Sequence, residues 1–218
     1  RPEIANAVSF LARQVHCWSS GADAALEKLI AYLDSYPTGK LKFKLPPPDF
    51  QIGFKNILYY SDADLGGDLT SSRSTGGDVT FLSWGDDEKW LLSWTSKMLS
   101  HKCTSTPWSE LASLQRGLQS SALPSSHLCE LITQHECPIR ARQDNAAAIQ
   151  SIALGYSLQM RYLARHSRLS ITYLHSLFVQ GANCISYVES GNNTSDLMTK
   201  SLDAKLHWFH TLNLGMFF

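Results

Sequence analysis

The chain has 218 residues, 44% of them hydrophobic, and its nineteen basic and nineteen acidic residues cancel to a formal net charge of zero. That composition supports one full core with a small accessory element, and the neutral balance excludes a nucleic-acid partner recruited by global charge, so any such contact is local. No apolar run reaches the roughly 18 residues of a membrane span and no signal peptide opens the chain, so an intracellular protein with no membrane partner is expected.

Arg1 leads straight into an amphipathic pattern with no initiator Met, which suggests a piece of a longer polypeptide. Ile4, Val8, Leu11 and Val15 recur at helical spacing, and Leu26, Leu29, Ile30 and Leu33 do so again after Ser19, Ser20 and Gly21, so a helical pair is predicted. Residues 37–48 hold four of the eight prolines together with Lys40, Lys42 and Lys44 and read as a connector, with a boundary near residue 50. Three β-like segments follow at 57–62, 78–84 and 90–94, separated by turn-rich pieces containing Gly66 and Gly67, Gly76 and Gly77, and Gly85 and Asp86. Their short connections predict antiparallel neighbours.

From Pro107 the period becomes helical, with Trp108, Leu111, Ala112, Leu118 and Ala122 on one side and Pro107 in the first turn. Residues 139–143 form a short strand that ends at Asp144 and Asn145 and runs into a helix over 146–152; a helical stretch over 158–178 and a strand over 183–188 come next. Thr194 and Ser195 are suitable N-caps for a last helical segment carrying Met198, Leu202, Leu206 and Phe209. The order is βββαβαβα, an α/β protein with one sheet.

Three acids fall at element boundaries: Asp62 at the end of the first strand, Asp144 at the end of the fourth, and Asp196 at the start of the last helical segment, while Glu110 lies inside the first long helix. If the strands ending at Asp62 and Asp144 are neighbours, both carboxylates reach one edge of the sheet, and the helix packed across it brings Glu110 to the same place. Four carboxylates so placed repel one another unless cations occupy the cluster, so the expected ligand is a hard metal, Mg2+ first. Two such ions clamp an in-line displacement at phosphorus, which is nuclease chemistry. Singly, each acid has a plainer explanation as a turn residue, a helix first-turn acid or a solvated face; it is their joint placement that points to a site.

The run YYSDADLGGDLTSSRSTGGDVTFL, from Tyr59 to Leu82, closely resembles the opening of the ribonuclease H domain of Copia-type retrotransposons. In the same order come LLSWTSKMLSHKCTSTPWSELASL, similar to that family's WSSK block and acidic helix, RQDNAAAIQ, similar to its DN block, and NNTSDLMTKSL, similar to its ADxxTKxL ending. The opening RPEIANAVSFLAR resembles the segment that follows the polymerase active site in these elements. The resemblance implies a ribonuclease H-like fold with a five-stranded mixed sheet and an N-terminal helical extension. It divides the chain into a reverse-transcriptase tail (1–45), a linker (46–56) and the ribonuclease H-like domain (57–218). It carries catalytic and metal-ligand roles onto Asp62, Glu110, Asp144 and Asp196, with two Mg2+ ions for which Mn2+ substitutes. The implied reaction is endonucleolytic hydrolysis of the RNA strand of an RNA/DNA hybrid. Ser105, Thr106 and Asn145 would read 2′-hydroxyls across the minor groove; separately, the spacing of Arg161, Arg165 and Arg168 permits one helical face that would grip phosphates, with an ordinary solvated basic face as the equal alternative. The implied partners are the hybrid and the upstream reverse transcriptase of the same polyprotein, and the implied setting is the cytoplasm, in a virus-like particle, and the nucleus.

Two departures stand out. Pro107, Trp108, Ser109 and Glu110 replace the family's Thr-Glu-Ala-Glu-like run, and Arg140 and Arg142 share the register of Asp144, where a guanidinium would compete with Mg2+ or hold Asp144. They favour a rival reading, a catalytically silent ribonuclease H-like structural or interaction domain. His127, Cys129, His135 and Cys137 form a paired His-x-Cys pattern whose spacing matches no zinc module. With Cys17, Cys103 and Cys184 the cysteines number five, odd and scattered, which predicts free thiols in a reducing compartment.

Overall fold

The structure is a computed structural model that describes residues 1–43, 56–68, 71–84, 88–158, 160 and 169–218. Its strands are β1 (Lys40–Leu41), β2 (Asn56–Asp64), β3 (Thr75–Ser83), β4 (Lys89–Met98), β5 (Ile139–Gln143), β6 (Cys184–Tyr187) and β7 (Met216–Phe217). The helices are α1 (Ala5–Gln14), α2 (Ser20–Ser35), α3 (Thr106–Gly117), α4 (Leu123–Thr133), α5 (Ala146–Leu154), α6 (Ile171–Val179), α7 (Asp196–Thr199) and α8 (Ala204–Asn213). Five strands form a mixed sheet in the order β4-β3-β2-β5-β6. β2, β3 and β4 meander antiparallel, whereas β5 runs parallel to β2 and β6 parallel to β5. This is the ribonuclease H-like arrangement.

Strand periodicity splits the core into two layers. Ile57, Tyr59, Ile139 and Ala141 project to one face, where they pack with Leu111, Leu114, Leu118, Ile152 and Leu174 of the covering helices. Val79, Phe81 and Leu91 project to the other, against Leu197, Met198, Leu214 and Met216. Burying each of these aliphatic or aromatic side chains is worth about 1.5–3 kcal/mol. β3 is buried along its whole length because helices lie on both sides of it.

The N-terminal helices pack on the sheet module. α1 contacts α7 and β4, and β1 pairs antiparallel with β7, Lys40 opposite Phe217 and Leu41 opposite Met216. Tyr36 packs against Trp208 and Phe218, and Tyr32 meets the edge of His207. Part of the expected connector is therefore a strand; the rest, residues 44–55, lies outside the described residues.

Several elements differ from expectation for identifiable reasons. Gly76 and Gly77 sit inside β3 rather than in a turn. Ser20 and Gly21 belong to α2, whose N-cap is Ser19, accepting from the Ala22 N–H at 3.3 Å. The helix begun at Thr106 runs on through a π-helical turn at Leu118–Ala122 into α4; Pro124, in the first turn of α4, has no N–H to give to a regular α-helical bond, and the wider turn absorbs the gap. The helical stretch expected over 158–178 is broken at Leu169 and Ser170, and the Ser170 hydroxyl caps α6 by accepting from the Tyr173 N–H; residues 161–168 lie outside the described residues. The last helical segment is two helices: α7 ends after four residues, where Lys200 is extended, and Asp203 then caps α8 by accepting from the Leu206 N–H. All five cysteines are free thiols, with Cys129 and Cys137 buried in the first core layer.

Candidate active site

Parallel pairing sets β2 beside β5, so the ends of both strands open at one edge of the sheet. Asp62 lies near the end of β2 and Asp144 directly follows β5, while α7 begins with Asp196. Carboxylate oxygens of Asp62, Asp144 and Asp196 all lie within 4.8 Å of one another. Glu110, buried on α3, borders this group and accepts from Gln143 Nε2 at 3.3 Å. Sequence reasoning had these four residues at one place, and the structure brings them there.

Four buried polar side chains hold the frame. Gln143 Oε1 accepts the backbone N–H of Asp144 at 2.8 Å and that of Asn145 at 3.1 Å. Asn193 Nδ2 donates to the Ser61 carbonyl at 3.1 Å, and the Ser195 hydroxyl donates to Asn193 Oδ1 at 2.6 Å. Ser195 is thus the N-cap residue of α7 by position, yet its hydroxyl is spent on Asn193 and makes no capping bond, contrary to the role expected for it. Thr199 donates to Asp62 Oδ2.

The motif glycines are explained by close packing. Gly77 stands opposite Asp62 in the sheet, and a Cβ there would lie 2.5 Å from Met198 Cβ and 2.7 Å from Thr199 Cγ2, so α7 approaches only because the side chain is missing. On the opposite face a Cβ at Gly76 would lie 2.6 Å from Ser113 Oγ on α3. Consecutive residues of one strand therefore admit the two helices that carry Asp196 and Glu110.

The electrostatics are those of crowded anions with one cation, Lys200, paired to them among the described residues. Burial, then Asp62 and Asp144, push the Glu110 carboxyl up to about 9. Burial and Asp62 push Asp196 up to about 7 against the pull of Lys200, and burial with Asp62 raises Asp144. Lys200 Nζ lies 3.2 Å from Asp196 Oδ2 and 3.6 Å from Asp62 Oδ2. Burial disfavours its charge, but Asp62 and Asp196 outweigh that and raise its pKa. Asp196 Oδ1 is buried with no hydrogen-bond partner among the described residues. Hard oxygen donors within 4.8 Å of one another, one of them unsatisfied, fit a divalent cation.

The remaining expected contacts divide. Ser105 is the half-buried N-cap residue of α3 with no side-chain capping bond, and Thr106 is exposed one turn before Glu110. Asn145 caps α5 through the Ala148 N–H at 2.9 Å, which occupies its carbonyl oxygen. Arg161, Arg165 and Arg168 lie outside the described residues. Arg140 is exposed, and Arg142 donates to Ser186 on β6; the cation beside the carboxylates is Lys200. His127 and His135 are exposed while Cys129 and Cys137 are buried, and the carboxylate trio is the one His/Cys/Asp/Glu group of metal-binding geometry among the described residues. Lys200, Thr199, Gln143 and Asn193 were missed as individual residues; the NNTSDLMTKSL and RQDNAAAIQ blocks that contain them were the available signal.

The mixed sheet in this strand order has the ribonuclease H-like fold, and its carboxylates gather where β2 and the parallel β5 end. The chain is 31% identical over 119 residues to secreted RxLR effector protein 161 of Plasmopara viticola, covering 55% of this chain and 76% of that protein, and it belongs to the same family. No protein-family model matches it. Among solved structures it is similar to LC11-RNase H1 isolated from compost, with 11% identity, 66% of this chain and 93% of that one covered, and a TM-score of 0.46. LC11-RNase H1 has also been solved in complex with an RNA/DNA hybrid. The protease-reverse transcriptase of prototype foamy virus shows 11% identity over 80% of this chain and 22% of that one, with a TM-score of 0.37.

Proposed function

We propose that the chain is the ribonuclease H module of a Copia-type retrotransposon polyprotein, hydrolysing the RNA strand of RNA/DNA hybrids endonucleolytically during reverse transcription. The observation that carries this reading is the convergence of Asp62, Asp144 and Asp196 within 4.8 Å, with Glu110 alongside, in a ribonuclease H-like fold. In this reading those four acids are the catalytic residues and hold two Mg2+ ions, or Mn2+ in their place. Bound divalent ions supply Lewis-acid stabilisation of the phosphoryl centre and lower the pKa of water. The protein's share is to fix the carboxylates: Gln143 orients Glu110 and the start of α5, Thr199 fixes Asp62, and Asn193 ties the approach to α7 to β2.

Ser105, Thr106 and Asn145 contact the hybrid in this proposal, and Arg161, Arg165 and Arg168 contact its phosphates. Residues 1–45 are the tail of the upstream reverse transcriptase, residues 46–56 the linker and residues 57–218 the nuclease. The packing of α1 on α7 and the pairing of β1 with β7 support tight coupling between the two parts. No described helix is long and apolar enough to cross a membrane; a cytoplasmic particle and the nucleus are the proposed settings, to which the free thiols are suited.

The test is cleavage of a labelled RNA/DNA hybrid with Mg2+ or Mn2+, beside Asp144→Asn and single-stranded and duplex RNA controls. Hybrid-specific cutting that the substitution abolishes is the expected result. A second reading, a silent ribonuclease H-like structural or interaction domain, is favoured by the Lys200 ammonium lodged between Asp62 and Asp196. Well-folded protein that cuts nothing with either metal, even with the upstream polymerase added, would establish that reading instead.

A further inference from the structure

Lys200 is the residue whose position the reaction does not explain. It follows α7 directly, and its ammonium bridges two carboxylates from different elements, Asp62 on β2 and Asp196 on α7. A structural ion pair needs one partner; this one spans the mouth of the acidic cluster. The side chain is 37% exposed, whereas those of Asp62 and Asp196 are 3% and 4% exposed, so the acids are fixed and the lysine is the member free to leave. It has somewhere to go. Lys200 also lines a cavity of about 600 Å³ between the N-terminal helices and the sheet module, whose wall includes Asp64 and Glu3. The Glu3 side chain is buried; its Oε1 is paired with Arg1, while its Oε2 has no hydrogen-bond partner among the described residues.

We infer that Lys200 is a tethered counter-cation for the acidic cluster: it neutralises Asp62 and Asp196 in the metal-free protein and swings into the adjoining cavity when divalent cations bind. This deepens the proposed nuclease reading and rests on it. Three carboxylates within 4.8 Å of one another, two buried and Asp144 half-buried, would drive their helices and strands apart with no cation present. A lysine on the chain supplies that charge from the moment of folding, at the cost of competing with the metal. Arginine would serve worse, because a bidentate guanidinium is harder to displace than a flexible ammonium. Arg142, turned away to Ser186, plays no part.

The experiment compares wild type with Lys200→Met, Lys200→Gln and Lys200→Arg, with Arg142→Ala as the control, using Mn2+ alone as the probe. Mn2+ affinity is read by electron paramagnetic resonance titration and thermal stability by melting in chelator and at saturating Mn2+. Removing the competing charge is expected to tighten Mn2+ binding by about fivefold or more in the Met and Gln variants, the scale of a partly exposed ion pair. Their melting points should fall in chelator and rejoin wild type at saturating Mn2+, while Lys200→Arg binds no tighter than wild type and Arg142→Ala is unchanged. Equal or weaker Mn2+ binding by both neutral variants, with wild type binding normally, overturns the counter-cation role alone. Failure of wild type and every variant to bind Mn2+ overturns the metal reading of the site, and the counter-cation role with it.

Discussion

Gln143 and Glu110 are joined inside the sheet edge, Nε2 to Oε2 at 3.3 Å, while the carbonyl of the same amide accepts the N–H groups of Asp144 and Asn145. One buried side chain thus couples the helix-borne acid to the strand-borne one. Gln143→Leu keeps the bulk but strands two backbone donors and a carboxyl, each at a cost of about 1–3 kcal/mol. The variant is expected to melt several degrees lower, and to lose hybrid cleavage beyond what its unfolded fraction explains. Unchanged melting, followed by circular dichroism, would show that water replaces the amide and that the coupling is not needed.

The same acids set a pH dependence whose sign follows from their shifts. Glu110 moves from 4.5 up to about 9 and Asp196 from 3.8 up to about 7, so across that range the folded chain holds protons that the unfolded chain has released. Stability is then lost progressively as pH rises from the ordinary carboxylate range, up to about 7 for Asp196 and on to about 9 for Glu110, in the absence of metal. His210 acts oppositely but elsewhere: burial pushes it from 6.5 down to about 4, so its penalty falls between those values and is gone at alkaline pH. Melting curves in chelator should decline from pH 7 to 9, and saturating Mg2+ should flatten the decline by stabilising the ionised acids. A flat profile in chelator contradicts the crowding described for the site.

Gly77→Ala tests the packing that brings Asp196 in. A methyl group 2.5 Å from Met198 Cβ forces α7 outward, and overpacking of this kind costs about 1–3 kcal/mol. Because α7 starts with Asp196, Mn2+ affinity should fall together with melting temperature. Gly76→Ala presses on Ser113 and displaces α3 instead, so its loss should appear through Glu110. Wild-type metal binding in both variants would mean that the helices adjust without moving their carboxylates.

What the sequence made legible has a physical boundary. Strand β5 and its flanking Asp144 were readable because an apolar alternation ends abruptly at a polar pair, and the four acids because each sits at the end of an element or on the helix packed across them. Gly76 and Gly77 were misread as a turn: a glycine pair in a fully buried strand leaves the same local trace as a loop, and only the helices above and below reveal the close approach. The division of α7 from α8 was hidden for a similar reason, since Met198, Leu202, Leu206 and Phe209 keep helical spacing across a break that runs from the extended Lys200 to the Asp203 cap. Lys200 was invisible as a site residue because its partners lie 138 and 4 positions away, and an (i, i+4) Asp–Lys pair is ordinary on any helix surface.

Leu11 decides whether the N-terminal helices are an integral part of the module. It is buried on α1 and shares a cavity wall with Leu197, Leu202 and Thr199, close to the segment that carries Asp196. Leu11→Ala removes buried apolar surface at a cost of about 2–5 kcal/mol for a well-packed site, less where the cavity already loosens the packing. If helices and sheet fold as one unit, urea unfolding stays a single transition with a lower midpoint, whether followed by helical signal or by tryptophan emission. If the helices instead dock independently, helical signal is lost early while the sheet module keeps its own midpoint. The strand pair β1–β7 ties the N-terminal part to the last residues of the chain, so the single shifted transition is the expected result.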